Sequence, residues 1–427
     1  MKKILATILA LVMALALCTT SWADGEGKGG TTPPASTTAV AKIGEQEYTT
    51  LQAAINAASG SENTVVLLKD LKESITIASG KNITLDLNGH TLTNTDGQHT
   101  ITNNGTLTIT ATNGGTVDNV THGHAAIVNN GTATLNGGTY TRSKEDSENN
   151  KGSAGKNSFY TILNDNGAMM TINEGVKVTN VGHFSSMIRN GGTSASTMII
   201  NGGTFSGGLN AIKNDEAGVL TIKGGDFSNT SQFVVMNWHQ ATINGGAFKA
   251  LASAEAVLFT AKYAENTAVG ELTITNGTFE RAADTQKMLE VTYKGENGDV
   301  LYTGTAGISG GVFADDVSAY ATEGTAVASL KGVYYVGTAN IESAVNSMNG
   351  GDTLTVVKGP VKVGNTEYGA NQTYTKPASY YYYSPSTTTP DTTTKGSPKT
   401  FDAGIALYVG MALTSVTGLA YTGKKKF

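Results

Sequence analysis

Three stretches set the strongest limit on what this chain can fold into: "VLTIKGGDFSN" from Val219 to Asn229, "QATINGGAFKA" from Gln240 to Ala250 and "ELTITNGTFER" from Glu271 to Arg281. "TATLNGGTYTR", "MTINEGVKVTN", "TMIINGGTFSG" and "GISGGVFADDV" repeat the same plan. Each reads as a strand with apolar residues two apart, an Asn or other polar residue, a small-residue bend and a second strand holding an aromatic such as Tyr140 or Phe205. A third short run lies upstream of most copies, as in "HAAIVNNG", "YTILNDNG", "SMIRNGG" and "NAIKNDEAG". Three strands recurring at roughly 20 to 35 residues match one coil of a solenoid with loops of variable length.

A parallel β-helix uses such a repeat directly. Each strand pairs with its counterpart one coil on, about 4.8 Å away, and apolar side chains stack inward in columns. Leu135, Ile172, Ile200, Ile222, Ile243 and Ile274 are expected in one column. Tyr140, Phe205, Phe227, Phe248, Phe279 and Phe313 are expected in another. Asn136, Asn201 and Asn244, beside the bends, are expected to form an amide ladder. Thr108, Thr134, Thr171, Thr221, Thr242 and Thr273 should point outward, with Ile199 interrupting them. A β-propeller, the alternative, needs four antiparallel strands per blade and a steadier period near 40 residues. Composition agrees with an all-β chain: of 427 residues 53 are Gly and only 7 Pro, and 15% are charged. A formal charge of -5 without a basic cluster ahead of the tail argues against a nucleic-acid partner.

The flanks are organised differently. Lys2 and Lys3, an apolar run from Ile4 to Leu17 and Ser21-Trp22-Ala23 have the layout of a secretory signal at 1–23, with cleavage expected after Ala23. The residue before Cys18 is Leu17, which is not small and argues against a lipoprotein. Cleavage would remove the single cysteine, leaving no disulfide and no thiolate metal site. Residues 24–41 read as a flexible leader and 42–320 as the solenoid, opened by a capping helix in "YTTLQAAINAAS" with Leu51, Ile55 and Ala58 on one face and Thr50 at its start. Residues 321–366, which echo that opening, read as a carboxyl-terminal cap or small α/β module, and 367–396 as a Thr/Pro/Tyr-rich spacer. In 397–427, Ala403 to Thr422 is long enough to span hydrocarbon as a helix, with Lys424 to Lys426 behind it.

The motifs "TINGGAF" and "LTIKGGDF", with "TLQAAINAAS" and "ITLDLNGHTLT" ahead of them, resemble the pectate-lyase-like right-handed parallel β-helix proteins. The tail resembles a Gram-positive sortase signal of the Leu-Pro-x-Thr-Gly type. Ser397, Pro398, Lys399 and Thr400 hold its Pro and Thr at the family spacing, while Ser397 stands for the usual Leu and Phe401 for the usual Gly. That resemblance implies transient membrane retention, cleavage after Thr400 and attachment to peptidoglycan by sortase. The alternative is a simple carboxyl-terminal membrane anchor.

Enzymes of the β-helix family act on polysaccharides, lyases through Ca²⁺ held by clustered carboxylates with an Arg or Lys base, hydrolases through paired aspartates. Candidates here are few. Asp165 and Asp215 occupy similar positions after the upstream strand, with Arg189 on the coil between; Glu216 and Asp226 are the other acidic candidates. The competing reading is solvated turn residues. His122 and His124 lack an acidic companion for a metal. Trp238 and His239 are ligand-binding candidates because aromatic rings stack on sugars, core packing being the alternative. The function expected from the whole is a non-catalytic wall-anchored surface protein, an adhesin or glycan binder with a host or dietary glycan or a matrix protein as ligand. A polysaccharide lyase or glycoside hydrolase, and a purely structural surface protein, are the alternatives.

Overall fold

A computed structural model describes residues 38–145, 159–180 and 182–378. The expected signal at 1–23 with Ala23, the sorting residues Ser397 to Thr400 and the apolar run from Ala403 lie outside the described residues. Among the described residues no helix is long and apolar enough to cross a membrane.

The chain forms a parallel β-helix of three sheets. Successive strands visit the first, second and third sheet in turn, so each sheet grows by one strand per coil. Thr132–Leu135, Gly138–Thr141 and Ile162–Asn164 make one such coil, and Gln240–Ile243, Ala247–Ala250 and Ala256–Thr260 another. Registers run without slippage through the first sheet, where Leu135, Ile172, Ile200, Ile222, Ile243 and Ile274 stand opposite one another as expected. The outward threonines align too, with Ile199 opposite both Thr171 and Thr221.

In the second sheet the aromatic column is continuous from Phe205 to Phe313. Ring centroids lie 4.5 to 4.9 Å apart and planes within 2° to 9° of parallel. Tyr140 heads it across Val178, and its buried hydroxyl donates to Gly137 O at 2.9 Å. The Gly-Gly bends leave room for these rings. Gly246 sits at φ 108°, where a Cβ would meet Gly225 O at 3.0 Å and the Phe248 ring at 3.2 Å.

The third sheet holds a ladder that differs from the expected one. Asn103, Asn129, Asn164, Asn190, Asn214 and Asn237 are fully buried, and each Nδ2 donates to the Oδ1 of the next at 2.7 to 2.8 Å until Asn237 reaches Thr260 Oγ1 at 3.0 Å. Their amides also donate to carbonyls opening the first-sheet strands, such as Thr132 O and Thr197 O. Of the ladder expected at Asn136, Asn201 and Asn244, only the first two belong to one chain of bonds, joined through Asn173. Lys223 breaks it, and Asn244 accepts instead from Thr275 Oγ1.

Helix α1, Leu51–Ala57, covers the amino-terminal end of the core with Leu51, Ala54 and Ile55 buried. Thr50 Oγ1 caps Ala53 N, and Glu73 takes the two amides of Leu51 and Gln52 at 2.9 and 2.8 Å. Lys81 Nζ closes the other end on Asn56 O and Ala58 O. Ala41–Ile43 pairs antiparallel with both Gln46–Tyr48 and Thr64–Leu67 around this helix. The same plan recurs at the far end, where Val327–Leu330 pairs antiparallel with Val333–Val336 and Thr353–Lys358 on either side of α2, Thr338–Ser347.

Two expected boundaries shift. The leader ends earlier than 41, because Val40 and Ala41 are already buried in the core. The carboxyl-terminal unit runs past 366: Thr373–Thr375 pairs with Thr353–Lys358, and Tyr368 and Tyr374 pack on a separate core of Ala328, Leu330, Ile341, Leu354 and neighbours. Tyr368 and Tyr374 belong to two separate short strands, Thr366–Tyr368 and Thr373–Thr375, so the stretch "TEYGANQTYT" is folded structure where a spacer was expected.

Candidate functional site

In the third sheet the residue between each inward apolar residue and the ladder asparagine points outward. Register places Leu163, Arg189, Lys213, Met236 and Phe259 side by side on that outer face, one per coil. Strands about 4.8 Å apart make this a line of roughly 20 Å. Val128 before it and Met236 and Phe259 at its far end are buried, whereas Leu163, Arg189 and Lys213 are half-buried and reachable from solvent.

The accessible middle is where the predicted trio meets. Arg189 Nε donates to Asp215 Oδ2 at 2.7 Å and its Nη1 to Asp165 Oδ2 at 3.3 Å. Lys213 Nζ lies 3.2 Å from the same Asp215 oxygen. The guanidinium also faces the Tyr160 ring at 5.8 Å. Burial disfavours the charge on Arg189, but the hydrogen bond and charge of Asp215 outweigh it and hold the guanidinium protonated above its ordinary range. Two carboxylates and two cations are thus locked together with net charge near zero. Of the other acidic candidates, Glu216 is half-buried beside Asp215, and Asp226 is exposed on the second sheet.

Chemically this is a fixed array of donors and acceptors. Arg189 bonds to both carboxylates, a place that a hydrolase leaves to the glycosidic oxygen and its water. A Ca²⁺ ion would have to displace the guanidinium to reach both, so the donor set does not fit that cation. Among the described residues no three His, Cys, Asp or Glu side chains gather as a metal site.

Trp238, one residue beyond the ladder asparagine Asn237, is only 5% exposed, so its ring packs in the structure instead of lying open. It forms a small cluster with Phe233, Met236 and Phe259. Tyr263 and Tyr293 stand nearly perpendicular on the indole, at 5.3 and 5.2 Å, and are themselves 43% and 38% exposed. His239 is half-buried, its Nδ1 3.1 Å from Gly218 O. The two tyrosines escape a repeat-based reading because they lie in insertions: Tyr263 follows a third-sheet strand, and Tyr293 belongs to the hairpin of Thr292–Lys294 and Val300–Thr303. Their sequence signal is an aromatic lying outside the repeat, in an insertion between coils.

A second polar group sits near Tyr160. Arg142, almost fully buried, donates to Glu145 Oε2 and Phe159 O at 2.7 Å and to His124 O at 2.8 Å, tying both ends of its own connection to the loop that carries His124. Burial pushes the Glu145 carboxyl up to about 7 against the pull of Arg142, and its Oε1 has no hydrogen-bond partner. His99, not His122, is the ring neighbour of His124, at 4.9 Å. Burial first and the charge of His124 second bring His99 down to about 4; its Nδ1 accepts from Ala125 N, so in the neutral ring Nε2 carries the proton.

No family model, curated protein or solved structure matches the chain.

Proposed function

We propose that this β-helix is an exported, wall-anchored surface protein of a Gram-positive bacterium that binds an extended glycan along the outer face of its third sheet without transforming it. The observation that carries the reading is the cluster of half-buried Arg189, Asp165 and Lys213 on that face, gathered around the buried Asp215. Sugar hydroxyls each offer a donor and an acceptor, and affinity for them rises when the protein groups are already held in place. Here every charged group is pinned by another, so little order remains to be imposed on binding. A solenoid repeats its surface coil by coil, which suits a polymer with a repeat of its own. The same pairing favours binding over hydrolysis, since Arg189 is bonded to the two carboxylates that would act as acid and base.

The test is a panel of soluble host and plant polysaccharides and matrix proteins presented to the secreted protein. Binding to one or more glycans, weakened by Arg189→Ala, is expected. A protein that binds no glycan on the panel, or that releases new reducing or unsaturated sugar ends in a manner abolished by Asp165→Ala or Asp215→Ala, refutes it, the latter in favour of an enzyme. Attachment to peptidoglycan by sortase rests on Ser397 to Thr400 and is tested separately.

A further inference from the structure

The two ends of the solenoid carry the same unit. Leu51, Ala54 and Ile55 of α1 recur as Ile341, Ala344 and Val345 of α2. Ala41 stands opposite Leu67 as Ala328 stands opposite Val356, all four fully buried. In each copy a two-residue turn leads into the strand before the helix, with Ile43 paired to Gln46 and Leu330 to Val333. Gln46–Tyr48 and Val333–Val336 are thus counterparts, but their outer edges differ. Val333–Val336 pairs antiparallel on that side with Gly311–Phe313, where the aromatic column ends. Gln46–Tyr48 ends the first sheet, with Gln46 and Glu47 exposed and no strand beyond it among the described residues.

The opposite end of the molecule holds a matching strand. Thr373–Thr375 closes the second sheet and is likewise the last strand there among the described residues. Gly311–Phe313, Val333–Val336, Val327–Leu330, Thr353–Lys358 and Thr373–Thr375 alternate in direction across that sheet, so Thr373–Thr375 runs the same way as Gly311–Phe313. Val356 N donates to Gln372 O and Lys376 N to Asp352 O. The alternation of an antiparallel ladder therefore turns the backbone groups of Tyr374 toward Leu354 and leaves the N–H and C=O of Thr373 and Thr375 on the open side. Proline, charge or a bulge normally blunts such an edge, and this strand has none of them.

We propose that Thr373–Thr375 of one copy of this chain pairs antiparallel with Gln46–Tyr48 of the next, repeating between chains the joint that Gly311–Phe313 and Val333–Val336 make within one. The contact joins two different surfaces and does not close, so copies add head to tail. Three-residue edges supply few hydrogen bonds, so association is weak in dilute solution and grows with concentration.

Sedimentation velocity on the secreted protein, from micromolar to near-millimolar concentration, tests this. A weight-average coefficient that climbs with concentration is expected, and Thr375→Pro should hold it at the monomer value by removing an outward N–H. A urea midpoint for that variant matching the parent separates loss of the edge from loss of the carboxyl-terminal unit. A second arm needs no proline. On a Cys18→Ser background, which removes the one native cysteine, Glu47→Cys protein is mixed with Thr375→Cys protein under mild oxidation. Cross-linked heterodimers in several-fold excess over either homodimer are expected. A monomer at every concentration without cross-links, or association that Thr375→Pro leaves unchanged, would overturn the proposal. Homodimers in excess would overturn it in favour of a two-fold pairing of like edges. Association that appears only when residues 24–37 are deleted would overturn it in favour of the chain's own leader as occupant of the Gln46–Tyr48 edge.

Discussion

Replacing Asn190 by Ala tests the buried amide ladder against a control that the molecule itself supplies. Asn190 accepts from Asn164 Nδ2 at 2.8 Å and donates to Asn214 Oδ1 at 2.8 Å and Val219 O at 3.2 Å, with no solvent exposure. On the surface-facing ladder Asn173 makes the same pair of bonds, donating to Asn136 and accepting from Asn201 at 2.7 Å, within reach of water. Removing Asn190 leaves Asn214 Oδ1 without a donor. Asn164 Nδ2 is less exposed to loss, since it keeps Thr197 O at 3.1 Å. One full buried orphan costs about 1 to 3 kcal/mol, and the cavity adds about 1 kcal/mol more, so Asn190→Ala should lose about 2 to 4 kcal/mol. Asn173→Ala should lose less than about 1 kcal/mol, because water replaces its bonds. Asn190→Asp should cost more than Ala, since an ionised carboxylate cannot donate to Asn214 Oδ1 and would be a buried charge. Urea unfolding followed by far-UV circular dichroism and by tryptophan emission measures these differences, provided the two probes give one transition. An Asn190→Ala midpoint within about 0.5 kcal/mol of Asn173→Ala would refute the claim that burial gives this ladder its weight.

Phe227 lies between Phe205 at 4.5 Å and Phe248 at 4.8 Å, so Phe227→Ala should cost about 3 to 5 kcal/mol in the same assay, and a loss under about 1 kcal/mol would show that the stack closes over the gap. For Glu145 the folded carboxyl is raised to about 7 from an unfolded value of 4.5, so the folded state binds the extra proton and stability falls as pH rises from 4.5 to 7. His99, lowered from 6.5 to about 4, does the reverse, with stability rising over that interval. Glu145→Gln should therefore steepen the gain in unfolding midpoint between pH 5 and 7, and an unchanged pH profile would rule Glu145 out as a contributor. Thr400→Ala should shift the protein from the wall fraction to the membrane or the medium, and an unchanged wall fraction would count against sortase attachment.

Much of the fold was legible because a solenoid writes its contacts into sequence at nearly constant spacing. Ile222, Ile243 and Ile274 could be stacked from the text alone, as could the phenylalanines, since parallel in-register strands bring like positions together. The pairing of Asp165 and Asp215 across Arg189 followed from the same logic. The buried asparagine ladder was equally periodic, in "IVN", "ILN", "IRN", "IKN" and "VMN", but was hidden by a second set of asparagines at the Gly-Gly bends. Only depth tells the two apart, and depth is a property of the closed coil. The strand at Thr373–Thr375 was missed because its sequence is as polar as a linker and gains strand character only from Tyr374 resting on the carboxyl-terminal core.

Sequence by itself therefore determined the architecture: repeat, strand count per coil and identity of the inward columns, because periodic burial needs periodic residues. Tertiary structure alone decided what the periodicity could not reach. It paired Asp165 and Asp215 with Arg189 and Lys213, settled Trp238 into a packed cluster where sequence left core packing and an open ring as alternatives, and brought Tyr263 and Tyr293 from unrelated insertions onto it. Insertions obey no repeat, and their placement depends on which apolar surface the coils beneath leave uncovered.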